Sequence, residues 1–385
     1  MRVLCSTTPM EGVFAPLIPL ATALREQGHE VLVVTAADLA DRVRAAGFAV
    51  AVAGPPAELA ARRVIGDPVF AEGGQPWRIG AMMFARVMAP DKFPALVGLA
   101  ERFAPDLLVH PSVDLAAPLV AAALGVPSLN YGTGLPLEPE LLAAMAGWVA
   151  PLWERQGLAP DPHAGIYRGG YLDPLPPSLR PADPPPAPEV LAIRPYLPGG
   201  AGDRLPGWAD SLGRRPVVYL SLGTVPIFNR PEMFAPLLVG LADLDVEVVV
   251  TVGRATDPAA LGALPRTVHV ERWLSLGALL PRCAAVVCHG GAGTTLAALA
   301  AGVPLVMVPR GADQFPTARA VHNAGAGLVI TPDQPASDAV RRAVRELLAD
   351  PAYPAGAARV RAEIAAMPPP AQVATTIATI AAAGP

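Results

Sequence analysis

The chain has 385 residues, of which 52% are hydrophobic and 16% charged, with a formal net charge of -4. This composition excludes general intrinsic disorder and argues against a basic nucleic-acid-binding surface, and the length predicts two domains. No apolar run reaches the roughly 18 to 20 residues of a membrane span. Three cysteines are too few for a disulfide framework, and the N-terminus lacks a signal-peptide pattern. We therefore expect a cytoplasmic protein without membrane contact.

The first 130 residues alternate between strand and helix patterns. The predicted strands cover 2–6, 31–34, 48–52, 106–110 and 126–129, and the predicted helices cover 16–25, 38–46 and 114–124. This alternation predicts a parallel sheet with helices on both faces. Residues 54–95 and 131–175 interrupt it, and only a helix around Trp148 and Trp153 is predicted there.

Prolines are concentrated between residues 174 and 206, a composition that is typical of a semi-rigid linker. A second α/β unit follows. Its predicted strands cover 216–221, 247–252, 269–271, 285–288, 305–308 and 327–330, and a helix covers 338–348. We therefore predict domains over 1–205 and 206–366, with a final segment over 367–385 that contains a helix from 371 to 382.

The strongest local motif runs from Cys288 to Leu296 and joins a predicted strand to a predicted helix. Glycines before a helix start let free backbone N–H groups approach an anion, and the helix dipole favours negative charge there. His289, Thr294 and Thr295 add side-chain donors. The motif predicts a diphosphate site, and the alternative is a tight glycine-rich turn beside a buried histidine.

Other nucleotide and metal motifs fit this chain less well. A Walker A loop requires a lysine after its glycine, but the only lysine in the chain is Lys92. The glycines of the motif do not continue into the G-x-G-x-x-G pattern of dinucleotide-binding proteins. Cys283, Cys288 and His289 lack the paired spacing of a zinc site, so we predict no bound metal.

Three shorter features also follow predicted strands, where ligands bind in open α/β sheets. Asp313 and Gln314 offer acceptors and donors for sugar hydroxyls. Trp273 is placed to stack on a flat base. The third feature is the segment from Ser221 to Thr224. Taken singly, Asp313 and Gln314 are better explained as a solvated loop, and Trp273 is better explained as a core residue.

In their order along the chain, these segments resemble the family 1 nucleotide-sugar glycosyltransferases of the GT-B fold. The resemblance is greatest to actinobacterial natural-product enzymes that transfer deoxysugars, and it runs from Gly28-His29-Glu30 to Asp313-Gln314. It implies two facing Rossmann-like domains with an interdomain cleft. Residues 1–205 would bind the acceptor and 206–366 the donor, and the helix within 367–385 would return to the first domain.

The resemblance also implies the residues of both substrate sites. Trp273 would stack on the base, and Asp313 and Gln314 would face the sugar. The diphosphate would meet His289, Gly291, Gly293 and Thr294, with Gly223 and Thr224 nearby. The interrupted segments and the loop after the first strand would supply apolar acceptor walls, namely Val13, Phe14, Trp77, Met82, Met83, Phe84, Met88 and Trp148. Core packing explains these apolar residues equally well.

The catalytic base departs from the family pattern. The histidine that the family carries after its first strand aligns with Val13, and valine cannot accept a proton. Glu11, Asp114 and Glu138 remain as candidate bases, although Asp114 is better explained as a helix N-cap. Either one of these carboxylates acts as the base, or the acceptor is acidic enough to need little help. We favour the acidic acceptor.

The resemblance implies an inverting transferase that moves a deoxysugar from a nucleoside diphosphate, with dTDP expected, to an apolar aglycone in natural-product biosynthesis. No metal or other cofactor is expected, and neither is a nucleic-acid or membrane partner; a homodimer stays open. The missing histidine motivates one alternative, a nucleotide-sugar-binding accessory protein. A sugar-nucleotide epimerase is the other, but the apolar segments argue against it.

Overall fold

The structure is a computed structural model. It describes residues 1–67, 78–199, 203–225, 229–254, 256–311, 313–334 and 336–383. Trp77, one of the predicted acceptor-wall residues, lies outside the described residues. No described helix is long and apolar enough to cross a membrane.

The described strands form two sheets that contain only parallel pairs. The strands of the first sheet are β1 (Arg2–Ser6), β2 (Glu30–Thr35), β3 (Ala49–Val52), β4 (Leu107–Pro111), β5 (Ser128–Tyr131), β6 (Gly170–Asp173) and β7 (Val190–Ala192). Those of the second are β8 (Val217–Ser221), β9 (Glu247–Thr251), β10 (Val268–Glu271), β11 (Ala285–Cys288), β12 (Leu305–Met307) and β13 (Gly327–Val329).

The helices that precede the second sheet are α1 (Glu11–Phe14), α2 (Ile18–Glu26), α3 (Ala37–Ala45), α4 (Ala57–Ile65), α5 (Arg78–Met82), α6 (Ala89–Phe103), α7 (Ala116–Leu124) and α8 (Pro139–Glu154). A π-helical turn, Met83–Met88, joins α5 to α6. The later helices are α9 (Pro231–Ala242), α10 (Leu276–Leu279), α11 (Ala292–Ala301), α12 (Gln314–Asn323), α13 (Ala336–Ala349), α14 (Ala352–Ala366) and α15 (Pro370–Ala383).

The chain divides into two compact units. Unit 1 consists of Met1–Pro174, Ala182–Arg194 and Pro368–Pro385, and unit 2 consists of Leu175–Pro181 and Pro195–Met367. The main division falls between Arg194 and Pro195, within the proline-rich stretch. Helix α15 belongs to unit 1, where it packs on α2.

The sheet of unit 1 has the strand order β3-β2-β1-β4-β5-β6-β7 and is buried on both faces. Alternate residues of β1 show this, because Val3 and Cys5 belong to one apolar cluster and Leu4 to another. A strand has a side-chain period of two, so a strand covered on both faces is a continuous apolar run. Helices α2, α3 and α15 contribute to one cluster, and α6, α7 and α8 to the other.

The sheet of unit 2 has the strand order β10-β9-β8-β11-β12-β13. Val218 and Leu220 of β8 pack with Phe234 of α9 and Val340 of α13. The strand order reverses between β8 and β11, where Ser221 lies opposite Cys288. The loops that follow these two strands therefore leave the sheet side by side, at the position where open α/β sheets bind ligands. The equivalent position in unit 1 lies between β1 and β4.

The structure differs from the sequence prediction in the interrupted segments. Residues 57–65 and 78–103 are helical, and residues 139–154 form α8. Strand–helix alternation could not predict successive helices without an intervening strand. The proline-rich stretch also contributes a strand to the fold, because β7 pairs with β6 at the edge of the sheet of unit 1. An edge strand tolerates neighbouring prolines because one side of its backbone needs no partner.

Candidate active site

In unit 2, the loop between β11 and α11 carries the predicted diphosphate site. Gly291 is the N-cap of α11, and no side chain caps this helix end. The backbone N–H of Thr295 donates to the carbonyl of Gly291 at 3.1 Å. The N–H groups of Ala292, Gly293 and Thr294 come earlier in the helix and have no acceptor within it. Together with the helix dipole, these N–H groups form a site suited to an anion.

His289 lies between the loops after β8 and β11. A Cβ at Gly223 would lie 2.6 Å from its Nε2 atom, and a Cβ at Gly291 would lie 2.5 Å from that atom. Gly223 also has a φ of 86°, which disfavours other residues. Burial lowers the pKa of His289 to about 4, so the ring is neutral at pH 7. His289 can therefore offer a hydrogen bond to a phosphate but no positive charge, which must come from the helix end.

Unlike Gly223 and Gly291, Gly293 has no neighbouring protein atom that would exclude a side chain. It is exposed in the first turn of α11, and a Cβ there would meet no atom within 4 Å. Packing within the protein therefore does not require glycine at this position. The missing side chain leaves the backbone N–H groups of the helix start open to a ligand.

Asp313 and Gln314 differ in what they can offer a sugar. Gln314 is buried, and its Oε1 atom accepts from the N–H groups of Arg310 at 2.8 Å and Gly311 at 3.2 Å. That oxygen therefore orders the loop after β12. Asp313 is exposed immediately before α12, and its side chain makes no capping hydrogen bond. Of these two side-chain oxygens, the structure leaves that of Asp313 open to a sugar hydroxyl.

Trp273 follows β10, and 48% of its surface is exposed. The guanidinium of Arg254, which follows β9, lies over the ring at 4.8 Å from its centroid. Because β9 and β8 separate β10 from β11, the two strands that Trp273 and α11 follow are about 14 Å apart. A ligand that touches both positions must be elongated.

Asn229 was missed by the sequence analysis, since no local pattern marks it. It is buried, and its Nδ2 atom donates to the carbonyl oxygen of Gly223 at 2.5 Å. This hydrogen bond holds the loop against which His289 packs.

In unit 1, a small pocket lies at the carboxyl ends of β1, β3 and β4. Phe84 and Met88, two of the predicted acceptor-wall residues, line it, and so do Asp114, Lys92 and the Thr7–Thr8 loop. The predicted acceptor side therefore contains an apolar wall next to charged groups. Lys92 was missed by the sequence analysis, although its being the only lysine of the chain was a signal.

Asp114 is buried and bound by two neighbours. Its Oδ2 atom accepts from Ser6 Oγ at 2.7 Å and from Lys92 Nζ at 2.7 Å, and Lys92 Nζ also donates to the carbonyl of Thr7 at 2.8 Å. Burial raises the pKa of Asp114, but the Lys92 charge and the two hydrogen bonds outweigh it and lower that pKa overall. The N-cap interpretation is wrong, because α7 has Leu115 as its N-cap and no side-chain capping bond.

The other two candidate bases lie elsewhere. Glu11 forms an ion pair with Arg42 at 3.1 Å, and Glu138 is exposed at the N-cap of α8. Neither residue lines the pocket. Val13, at the aligned histidine position, is buried in α1, and its carbonyl accepts from Tyr131 Oη at 3.1 Å.

Apart from the parts of Phe84 and Met88 that line the pocket, the predicted wall residues that the structure describes are packed inside unit 1. Phe14 is fully buried in the cluster that contains Val3 and Cys5, so the structure corrects its predicted role: it presents no surface to an acceptor. Met82, Met83 and Met88 are buried in a smaller cluster with α4, against which Phe84 and Trp148 pack. Within the described ranges, no group of three or more His, Cys, Asp or Glu residues is arranged to hold a metal ion.

Sequence models of one family match both parts of this chain. The model described as the N-terminal domain of Erythromycin biosynthesis protein CIII-like proteins matches residues 22–223, and the corresponding C-terminal model matches residues 235–380. Elloramycin glycosyltransferase ElmGT of Streptomyces olivaceus is 36% identical, over 98% of this chain and 97% of that protein.

Solved structures agree with the family match. Glycosyltransferase SnogD from Streptomyces nogalater has 32% identity and a TM-score of 0.77, over 99% of both chains. SsfS6 from Streptomyces sp. SF2575, complexed with thymidine diphosphate, has 30% identity and a TM-score of 0.79, over 98% of this chain and 99% of that chain. These findings confirm the predicted fold class and the resemblance. The chain therefore belongs to the EryCIII-like family and is a glycosyltransferase of the GT-B fold.

Proposed function

We propose that the protein transfers a deoxysugar from a dTDP-sugar to an apolar small-molecule aglycone, with inversion at the anomeric carbon. Unit 2 binds the donor, and the pocket of unit 1 receives the acceptor. The observation that carries the proposal is the uncapped start of α11, with its free N–H groups beside His289. The thymidine diphosphate in the SsfS6 complex supports the choice of nucleotide.

Each part of the donor meets a different loop of unit 2. The thymine stacks on the exposed ring of Trp273, which follows β10, and the extended diphosphate reaches the start of α11, which follows β11 three strands away. The N–H groups of Gly293 and Thr294 then bind the departing phosphate. Stabilising the charge that develops on a leaving group is a major source of catalytic rate, and here it needs no metal ion. Asp313 faces the sugar.

The acceptor side is suited to a compact apolar molecule with one polar end. Phe84 and Met88 contact the apolar part, while Asp114 and the threonines lie at the polar part of the pocket. Pockets of this kind combine apolar walls with a few polar groups that orient the ligand.

A transfer assay tests this function. The protein is incubated with a dTDP-deoxysugar and a panel of aglycones, and dTDP release and glycoside mass are followed together. We expect both products to form at equal rates, and the anomeric coupling in the product spectrum to show inversion. Binding of dTDP without glycoside formation would support the accessory-protein alternative. Conversion of one dTDP-sugar into another without an acceptor would support the epimerase alternative.

A further inference from the structure

Lys92 is built into unit 1 as a buried cation. Only 4% of its surface is exposed, and its ammonium group is bound by Thr7 and Asp114, which both line the pocket. Gly54, with a φ of 90°, makes room for its stem, since a Cβ there would lie 3.2 Å from Lys92 Cβ. A buried lysine is costly unless it is paired, so this position is specific for the charge.

The two hydrogen bonds to Asp114 both end on the same oxygen, Oδ2. In the part of the chain that the structure describes, Oδ1 therefore has no hydrogen bond, although 98% of this side chain is buried and the residue lines the pocket. Thr8 lines the same pocket, and its hydroxyl also has no partner among the described residues. Thr8 Oγ1 is a buried polar atom without a partner, which is unfavourable, and Asp114 Oδ1 is an acceptor that the described residues leave unused, so the pocket is suited to a ligand that brings an O–H group.

A free carboxylate oxygen also selects against one kind of acceptor. It accepts a hydrogen bond from a neutral hydroxyl, whereas a phenolate, an enolate or a carboxylate brings no O–H group for it to bind. The geometry therefore favours a neutral hydroxyl acceptor, in contrast to the acidic acceptor that the sequence alone favours.

We infer that Asp114 and Lys92 together replace the missing histidine: Asp114 Oδ1 takes the acceptor's proton, and Lys92 positions Asp114. This inference rests on the proposed function. As the acceptor oxygen forms its bond to the anomeric carbon, the bond from that carbon to the diphosphate oxygen breaks and its electron pair leaves with the diphosphate. The hydroxyl proton moves to Asp114. Lys92 keeps its proton and its charge throughout.

The titratable neighbours of Asp114 other than Lys92 carry no charge at pH 7. His110 on β4 and Tyr131 on β5 interact electrostatically with Asp114, and Ser6 on β1 donates a hydrogen bond to it. Burial lowers the pKa of His110, which is therefore neutral at pH 7. Burial raises the pKa of Tyr131, which stays protonated. Lys92 is thus the charged neighbour that keeps Asp114 ionised and ready to accept a proton.

The pH profile of kcat/KM tests the positioning role of Lys92. In Lys92→Met, burial of Asp114 remains but the lysine charge is lost, so the pKa of Asp114 rises. We expect kcat/KM for a neutral alcohol acceptor to fall by about 10² or more, and its acidic limb to move to higher pH. Glu101→Gln, an exposed change on the same helix, is the control and should leave both unchanged. An unshifted limb in a folded Lys92→Met variant would overturn the inference.

A second variant covers the case in which Lys92→Met does not fold. Lys92→Met/Asp114→Asn removes both charges at once and leaves neither ion buried alone. We expect it to bind dTDP as the wild type does, to lose about 10² or more in transfer to an alcohol, and to transfer to a phenol that is ionised at the assay pH at least as fast as the wild type. If the double variant and the wild type transferred the sugar to the alcohol at equal rates, the inference about Asp114 and Lys92 would be overturned, while the proposed function would stand. A wild type that glycosylates no acceptor would instead contradict the proposed function.

Discussion

The candidate donor site in unit 2 and the candidate acceptor pocket in unit 1 lie at equivalent places, the carboxyl ends of two parallel sheets. The two sites are built from different chemical groups. The donor site consists mainly of backbone N–H groups and of glycines that make room for His289. The acceptor pocket depends on a buried ion pair between side chains of α6 and the loop after β4. A site made of backbone groups should keep its function when side chains elsewhere in its unit are replaced. In a site made of a buried ion pair, loss of either partner should lower both the activity and the stability of the protein.

The largest expected effect is that of Asp114→Asn. It leaves Lys92 buried without a charged partner, which should lower the free energy of unfolding by about 3–5 kcal/mol. Urea unfolding would measure this loss. The double variant Lys92→Met/Asp114→Asn is the control and should lose less, since no lone charge remains. Equal stability losses in the two variants would show that the pair does not couple folding to this pocket.

His289→Ala comes next and tests the backbone-built site. We expect dTDP to bind more weakly by about 1.5–3 kcal/mol, the value of a hydrogen bond to a charged group. Calorimetry measures the affinity, and His322→Ala, an exposed change on α12, is the matched control. Unchanged dTDP affinity in a folded His289→Ala variant would remove His289 from the site.

Gly293→Ala separates binding from stability. Alanine is favoured over glycine in a helix by about 0.5–1 kcal/mol, and nothing lies near its Cβ, so Tm should stay the same or rise. The methyl group would still obstruct the ligand, and we expect dTDP affinity to fall roughly tenfold, or about 1.4 kcal/mol. Gly147→Ala, an exposed helical glycine of α8 with equally open surroundings, should leave affinity unchanged. Unaltered affinity in Gly293→Ala would place the diphosphate elsewhere.

Smaller effects are expected for the two carboxylates outside the pocket. Glu11→Gln and Glu138→Gln should each keep kcat within about tenfold, because a positioned base is worth about 10² to 10⁴ and neither residue lines the pocket. Steady-state kinetics with an alcohol acceptor measures this. A loss above 10² in either variant would transfer the role of base from Asp114 to that residue.

The smallest expected effect is that of removing metal ions. If the helix start and His289 stabilise the leaving diphosphate, turnover after dialysis against EDTA should match that of untreated protein. A loss of turnover that added magnesium or manganese restores would contradict this prediction.

The same contrast explains what the sequence could predict. The diphosphate motif is contiguous, and glycines before a helix have a direct physical meaning, so the strand, loop and helix start between Cys288 and Leu296 were predicted from the sequence. Asp114 was recognised as a candidate, but its partners Ser6 and Lys92 are far away in sequence, and only the fold brings them together. Its N-cap interpretation was wrong because it relied on local pattern alone. The burial of Phe14 likewise depends on packing that no local pattern records.

The last helix has a consequence for synthesis. Val373, Ala374 and Ile377 of α15 complete the apolar cluster of unit 1 that Leu20 and Leu24 begin. The ribosome synthesises all of unit 2 after Leu24 and before Val373. The first unit therefore emerges with an uncovered apolar face, while unit 2 has its full sequence by Met367. Contrary to the usual order in which the N-terminal domain folds first, the C-terminal unit of this enzyme can complete its fold earlier.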